Sequence, residues 1–218
     1  MSSHSRRALA TPPILIVPGI GNSGPSHWQS RWEALDANCR RVERQDWEHP
    51  HANAWIATLV AAVTRASEPP ALVAHSLGCL AAAAVARTHG LAGVLLVAPP
   101  DPAGPAFPRD AAQGFELIDG QVACPGIVVA GRNDPYGSLA IAVDCSRRWR
   151  CELVNIGPRG HINAESGLGD WPEGRALLLQ LLGAGREQGR GCSSTPGRVS
   201  PPARCAAACL LRPSGSRP

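Results

Sequence analysis

Short apolar segments rich in β-branched residues recur along this chain and alternate with stretches of helical periodicity. This alternation constrains the fold most, because a strand that is apolar throughout must be covered on both of its faces. Chains with this pattern form a mostly parallel sheet with helices on both faces, an α/β fold. About six segments are predicted as strands: residues 14–17, 41–45, 71–74, 93–98, 126–130 and 152–156.

Four further segments place apolar residues at the spacing of one helix face, and are predicted as helices: residues 53–66, 77–88, 139–148 and 173–182. The Pro-rich segment 99–124 has too few apolar residues to form a separate domain. It is predicted to be a loop, with a short helix at most, and it is the only segment available to cover a site. We therefore expect one domain over residues 12–183, with little or no lid, after a flexible segment 1–11.

The basic character of the chain is concentrated at one end. The formal net charge is +4, and all 21 basic side chains are Arg. Residues 184–218 contain six Arg and one acidic residue, so residues 1–183, with 15 Arg and 16 acidic residues, have a net charge of −1. The segment 184–218 lacks periodicity and is rich in Gly, Pro, Ser and Arg, which predicts a disordered tail. We expect neither a nucleic-acid partner nor a membrane span.

The chain has eight cysteines, and their spacing does not indicate a disulfide framework. The five that precede residue 184 are scattered, with no C-x-x-C pair and no His at the spacing of a zinc site. Reduced thiols and a cytoplasmic location are therefore expected, with no metal. Residues 5–10 faintly resemble an export signal, but Pro12 and Pro13 interrupt it and the next apolar run is needed as a strand.

The clearest motif is Ala74-His75-Ser76-Leu77-Gly78, which lies between a predicted buried strand and an Ala-rich predicted helix. It matches the nucleophile elbow G-x-S-x-G, with Ala at the first Gly position. Small residues are needed there, because larger side chains would collide across the sharp turn that exposes the Ser hydroxyl. The N-terminus of the following helix would also stabilise an oxyanion. An ordinary structural turn is the alternative for this motif taken alone.

A nucleophilic Ser needs a base, because its hydroxyl is scarcely ionised at neutral pH. Asp134 and His161 each follow a predicted strand, and they occur in the order Ser, Asp, His that this architecture uses. The carboxyl ends of parallel strands share one edge of the sheet, so these side chains can converge. His161 is predicted to accept the Ser76 proton while Asp134 orients it. Taken alone, an Asp before Pro is usually a turn former, and a loop His a surface residue.

The loop after the first strand supports two hypotheses. Its sequence contains the pattern of a dinucleotide-binding loop, Gly19-Ile20-Gly21-Asn22-Ser23-Gly24, with acidic residues in the next predicted strand. Pro25 argues against this, because a Rossmann helix should already be running there. In a hydrolase, the backbone N–H groups of Ile20 and Leu77 would form the oxyanion hole. Asn22, His27, Trp28 and Pro135 are candidate pocket residues.

Four segments together resemble the serine hydrolase family named after retinoblastoma-binding protein 9 and its bacterial YdeN relatives, within the α/β-hydrolase superfamily. They are PGIGNSGPSHW at 18–28, AHSLGC at 74–79, RNDPY at 132–136 and GHINAESGLGDWP at 160–172. The resemblance spans roughly residues 13–182, and it places the family's nucleophile, acid and base on Ser76, Asp134 and His161. It implies a compact, largely lidless α/β-hydrolase fold without metal or other cofactor.

The sequence therefore predicts an esterase-like serine hydrolase that acts on small esters, or on amides or thioesters, through an acyl-enzyme on Ser76. Small soluble molecules are the expected substrates, and the sequence does not indicate whether the chain has a protein partner. Two alternatives stay open: a non-catalytic interaction protein that uses the Arg-rich segment 184–218, and a dinucleotide-dependent enzyme.

Overall fold

The computed structural model describes residues 11–43 and 46–191. Its centre is a six-stranded sheet in the order β2-β1-β3-β4-β5-β6, in which every neighbouring pair is parallel. The strands are β1 (Ile14–Val17), β2 (Cys39–Arg41), β3 (Ala71–His75), β4 (Gly93–Val97), β5 (Gly126–Ala130) and β6 (Glu152–Asn155). The predicted α/β fold with a parallel sheet of about six strands is confirmed.

Helices cover both faces of this sheet. They are α1 (Trp28–Leu35), α2 (Ala52–Arg65), α3 (Leu77–Ala86), α4 (Leu139–Trp149) and α5 (Pro172–Gly191), with a short 3-10 helix at Ala164–Ser166. Helices α2, α3 and α4 bury their apolar residues against one face. Helices α1 and α5 bury theirs against the other. The two central strands β3 and β4 are buried along their whole length, which explains why every residue in them except His75, at the end of β3, is apolar or Gly.

Strand β2 and helix α1 differ from the prediction. The second strand covers Cys39–Arg41 and not 41–45, because it pairs with the short β1, whose ladder ends before Pro18. Residues 44 and 45 lie outside the described residues. Helix α1 was not predicted, since only the pair Trp28 and Trp32 marks its buried apolar face.

The segment 99–124 contains no helix or strand. Its side chains Phe107, Phe115 and Val122 are nevertheless buried in the core on the α2–α4 side. The segment therefore packs against the body of the protein.

Helix α5 continues to Gly191, past the boundary predicted at residue 183. The rest of the predicted tail, 192–218, lies outside the described residues, as does most of the predicted flexible segment 1–11. Of the helices in the described part of the chain, none has the length and apolar character that crossing a bilayer requires. The cysteines within this part are free thiols.

Candidate active site

Ser76 occupies a strained turn between β3 and α3. Its backbone has φ 52° and ψ −127°, a conformation that costs a non-glycine residue about 1–3 kcal/mol. Two hydrogen bonds hold the turn: the Ser76 N–H donates to the Val97 carbonyl, and the Ser76 carbonyl accepts from the Cys79 N–H, both at 2.9 Å. The surrounding structure thus fixes a serine at the sharp turn that the elbow motif predicts.

Close packing explains the small residues around Ser76. A Cβ on Gly78 would lie 2.5 Å from the Val17 carbonyl oxygen, and one on Gly19 would lie 2.8 Å from the Ser76 Cβ. Ala74 is fully buried, and its methyl group is accommodated in the core. Gly78 therefore lets the start of α3 approach the end of β1.

A continuous hydrogen-bonded chain links Asp134, His161 and Ser76. The His161 Nδ1–H donates to Asp134 Oδ2 at 2.8 Å and to Oδ1 at 2.9 Å. On the other side of the ring, His161 Nε2 lies 2.7 Å from Ser76 Oγ, the geometry in which the hydroxyl donates to the imidazole. The structure thus brings together the three side chains that the sequence places after β3, β5 and β6.

The carboxylate of Asp134 is held by its own loop. Asp134 Oδ1 accepts hydrogen bonds from the backbone N–H groups of Tyr136 at 2.9 Å and Gly137 at 3.4 Å. Its side chain is 1% exposed. These contacts orient the carboxylate toward the imidazole and exclude water from it.

The loops that contain Asp134 and His161 are also in contact with each other. The Gly160 N–H donates to Asn133 Oδ1 at 2.8 Å. Gly131 faces the Gly160 carbonyl so closely that a Cβ at residue 131 would collide with it. The relative position of Asp134 and His161 is therefore set by contacts between the residues beside them.

Trp28, a predicted pocket residue, is buried in the core, where it supports the loop that contains His161. Its side chain is buried against Trp32 and Trp171, with ring centroids 4.8 and 4.9 Å away. Its Nε1–H donates to the carbonyl of Ile162 at 2.8 Å. The aromatic ring fills the core, while its polar end holds the residue that follows His161.

His75 connects the nucleophile turn to the base. Its Nε2 lies 2.9 Å from the backbone carbonyl of His161. A carbonyl can only accept, so Nε2 carries the proton and donates. Burial, followed by the nearby His161 and His27 rings, holds the pKa of His75 well below its usual value. His75 is therefore a neutral hydrogen-bond donor.

His27 caps the N-terminus of α1 beside the same cluster. Its Nδ1 accepts a hydrogen bond from the Gln29 N–H at 3.2 Å, so the proton resides on Nε2. Burial, with smaller effects from Arg41 and His161, lowers the pKa of His27 to about 4. Its Nε2 is buried without a hydrogen-bond partner among the described residues.

Ile20 and Leu77 both line the cavity at Ser76, and the backbone N–H of neither has a hydrogen-bond partner in the described part of the chain. The next two N–H groups along the loop are engaged, since Gly21 N–H donates to the Trp47 carbonyl and Asn22 N–H donates to that of Gly19. Leu77 is the first residue of α3, whose dipole adds a partial positive charge there. Both groups are thus available to an anionic ligand at the predicted oxyanion site.

Ser76 opens into a cavity of about 420 Å³. The predicted pocket residues Asn22 and His27 line it, while Pro135 lines an adjoining cavity of about 410 Å³. Sequence reasoning missed several lining residues: Pro100, Phe107, Pro108, Tyr136, Asn163, Ala164 and Glu165. Those at 163–165 follow His161 closely, a signal that could have identified them. Pro100, Phe107 and Pro108 line the cavity because the irregular segment 99–124 folds back toward Ser76, and no local sequence pattern predicts that path.

Comparison with known families identifies one match. Residues 14–180 match the family described as serine hydrolase. A solved structure from Pectobacterium atrosepticum, described as a YdeN-like hydrolase, is 31% identical over 80% of this chain and 92% of that one, with a TM-score of 0.71. No curated protein matches the chain.

More distant structures share the fold. The ydeN gene product of Bacillus subtilis is 18% identical over 79% of this chain and 100% of that one, with a TM-score of 0.60. A monoacylglycerol lipase of Paleococcus ferrophilus is 12% identical over 80% of this chain and 96% of that one, with a TM-score of 0.62. At these identities the likeness concerns the fold alone.

Proposed function

This chain belongs to the serine hydrolase family, within the α/β-hydrolase superfamily, and we propose that it cleaves small esters through an acyl-enzyme on Ser76. The observation that carries the proposal is the hydrogen-bonded chain from Asp134 through His161 to the Ser76 hydroxyl at the base of a cavity. Each member has the donor or acceptor role that a Ser-His-Asp triad requires.

Acylation begins when His161 Nε2 takes the Ser76 proton and Oγ attacks the ester carbonyl carbon. Asp134 keeps the imidazole in the tautomer that can accept this proton, and then stabilises the imidazolium. The negative charge that develops on the carbonyl oxygen is stabilised by the N–H groups of Ile20 and Leu77. A single such donor typically contributes 10²–10³-fold to the rate.

Collapse of the tetrahedral intermediate breaks the bond to the leaving oxygen, which takes its proton from His161. A water molecule then reacts with the acyl-enzyme by the same steps, with His161 again acting as base. This returns the Ser76 hydroxyl and releases the acid. Amides and thioesters enter the same chemistry, because their carbonyl carbons are attacked in the same way.

The size and walls of the cavity support small substrates. A volume of about 420 Å³ lies at the lower end of small-molecule pockets. Pro100, Phe107 and Pro108 give it an apolar side that suits a short acyl or aryl group.

The geometry of the loop at residues 19–24 favours a hydrolase over a dinucleotide-binding protein. In a Rossmann fold the helix begins within the Gly-rich motif, so that its N-terminus meets the pyrophosphate. Here α1 begins at Trp28, four residues after Gly24, and Gly19 packs against Ser76. The non-catalytic alternative depends on the Arg-rich segment 184–218, most of which lies outside the described residues.

The test is hydrolysis of short-chain chromogenic esters by wild-type protein and two variants. Ser76→Ala should lower kcat/KM by about 10⁴–10⁶-fold, and His161→Ala by a comparable factor, because the triad acts as a unit. Ser67→Ala, at an exposed serine outside the cavity, is the matched control and should retain full activity. Equal rates for Ser76→Ala and wild type would overturn the proposal.

A further inference from the structure

The cavity wall beside His161 contains a carboxylate, that of Glu165. Glu165 is the only residue with a carboxylate or guanidinium group among the described residues that line the catalytic cavity. It forms no ion pair with any other described residue. A group bound in the catalytic cavity on this side therefore meets a carboxylate that has no ion-pair partner among the described residues.

This side of the cavity is where the leaving group lies if the proposed function is right. His161 Nε2 must give its proton to the leaving oxygen, so the alcohol departs over the imidazole. Tyr136, His161, Asn163 and Glu165 line both the catalytic cavity and the adjoining one. The leaving group thus passes along the wall that contains Glu165.

An exposed aromatic ring faces the same region. Tyr136 is one of three exposed large hydrophobic residues in the described part of the chain, and it alone among them lines either cavity. Its ring centroid is 4.6 Å from that of His161. Its backbone N–H is bonded to the carboxylate of Asp134, which fixes the residue beside the base.

Glu165 is held in place as well. The Glu165 N–H donates to Asn163 Oδ1 at 3.1 Å, and the Ser166 hydroxyl donates to the Arg159 carbonyl at 2.7 Å. These bonds close the short 3-10 helix that follows His161. The carboxylate therefore projects from an ordered turn.

We propose that this wall selects esters whose alcohol portion carries a positive charge, such as esters of quaternary or protonated amino alcohols. The inference rests on the proposed function, since it concerns the leaving group of that reaction. An aromatic face and an unpaired carboxylate are the two groups that bind such cations. Arg159 lines only the adjoining cavity, so the preference applies to a charge close to the ester oxygen.

The experiment compares acetylcholine, the acetate ester of choline, with its uncharged carbon analogue 3,3-dimethylbutyl acetate. In this analogue a tert-butyl group replaces the trimethylammonium group. Wild type should favour the choline ester by about three- to tenfold in kcat/KM at low ionic strength. Added salt should reduce this ratio, because the carboxylate is exposed. Glu165→Gln should bring the ratio down severalfold toward unity, because kcat/KM for the choline ester should fall more than kcat/KM for the uncharged ester.

Glu152→Gln is the matched control, since Glu152 is exposed and lines neither cavity. It should keep the wild-type ratio. Two results would refute the cation site: wild type hydrolyses the uncharged ester through Ser76 but does not prefer the choline ester, or Glu165→Gln keeps the wild-type preference. In both cases the proposed function stands. If the rates with both esters equal those of Ser76→Ala, both proposals fail.

Discussion

Gly78→Ala should damage both stability and catalysis, because the new methyl group has no space. Its Cβ would lie 2.5 Å from the Val17 carbonyl oxygen, and it would meet the Pro18 carbonyl as closely. Reaching even a tight contact of 3.0 Å requires the start of α3 to move by at least about half an ångström. Overpacking of this kind costs about 1–3 kcal/mol, and a free energy of unfolding lower by about 2 kcal/mol corresponds to a Tm lower by about 4–8 °C.

The same movement displaces the Leu77 N–H and the Ser76 hydroxyl. Since the loss of one oxyanion donor typically lowers the rate 10²–10³-fold, kcat/KM for a short-chain ester should fall by about 100-fold. Thermal unfolding followed by tryptophan fluorescence, with ester kinetics on the same samples, measures both effects. Gly90→Ala is the control, because no atom lies within 4 Å of its added Cβ. A Gly78→Ala protein with wild-type Tm and kcat/KM would refute this account of the turn.

Two further predictions concern the buried histidines. His75→Leu removes the donor to the His161 carbonyl, so kcat should fall about tenfold with KM unchanged. His75→Gln keeps a donor and should restore part of the lost kcat. A kcat of His75→Leu equal to that of wild type would contradict this positioning role. The pKa of His27 is about 4 in the folded protein and about 6.5 in the unfolded chain. Between these pH values only the unfolded chain binds the proton. The free energy of unfolding should therefore fall by about 3 kcal/mol as the pH falls from 6.5 to 4. His27→Asn keeps an N-cap acceptor and should flatten that part of a urea-denaturation profile, whereas an unchanged slope would argue against a neutral, buried His27.

The sequence was most informative where structure follows from local pattern. The uninterrupted apolar runs of β3, β4 and β5 identified the central strands within one residue, because burial on both faces leaves no room for polar side chains. The candidate site could also be assembled in advance. Parallel topology places Ser76, Asp134 and His161 at one edge, and the structure brings their side chains within hydrogen-bonding distance. Their catalytic role stays a prediction.

What the sequence did not yield depends on contacts between distant segments. Trp28 lies in a motif near the site, but its ring packs with Trp32 and Trp171, and only the tertiary structure reveals that it supports the base loop from the core. Phe107 reaches the cavity because an irregular segment folds back over it, and no periodicity encodes that path. The register of the edge strand β2 depends likewise on its partner.

Rapid-quench mass spectrometry during ester turnover tests the central claim most directly. We expect a transient mass increase equal to one acyl group, located on the peptide that contains Ser76 and absent in Ser76→Ala. Turnover by wild-type protein with no acyl group on Ser76, or with the group on another residue, would contradict it.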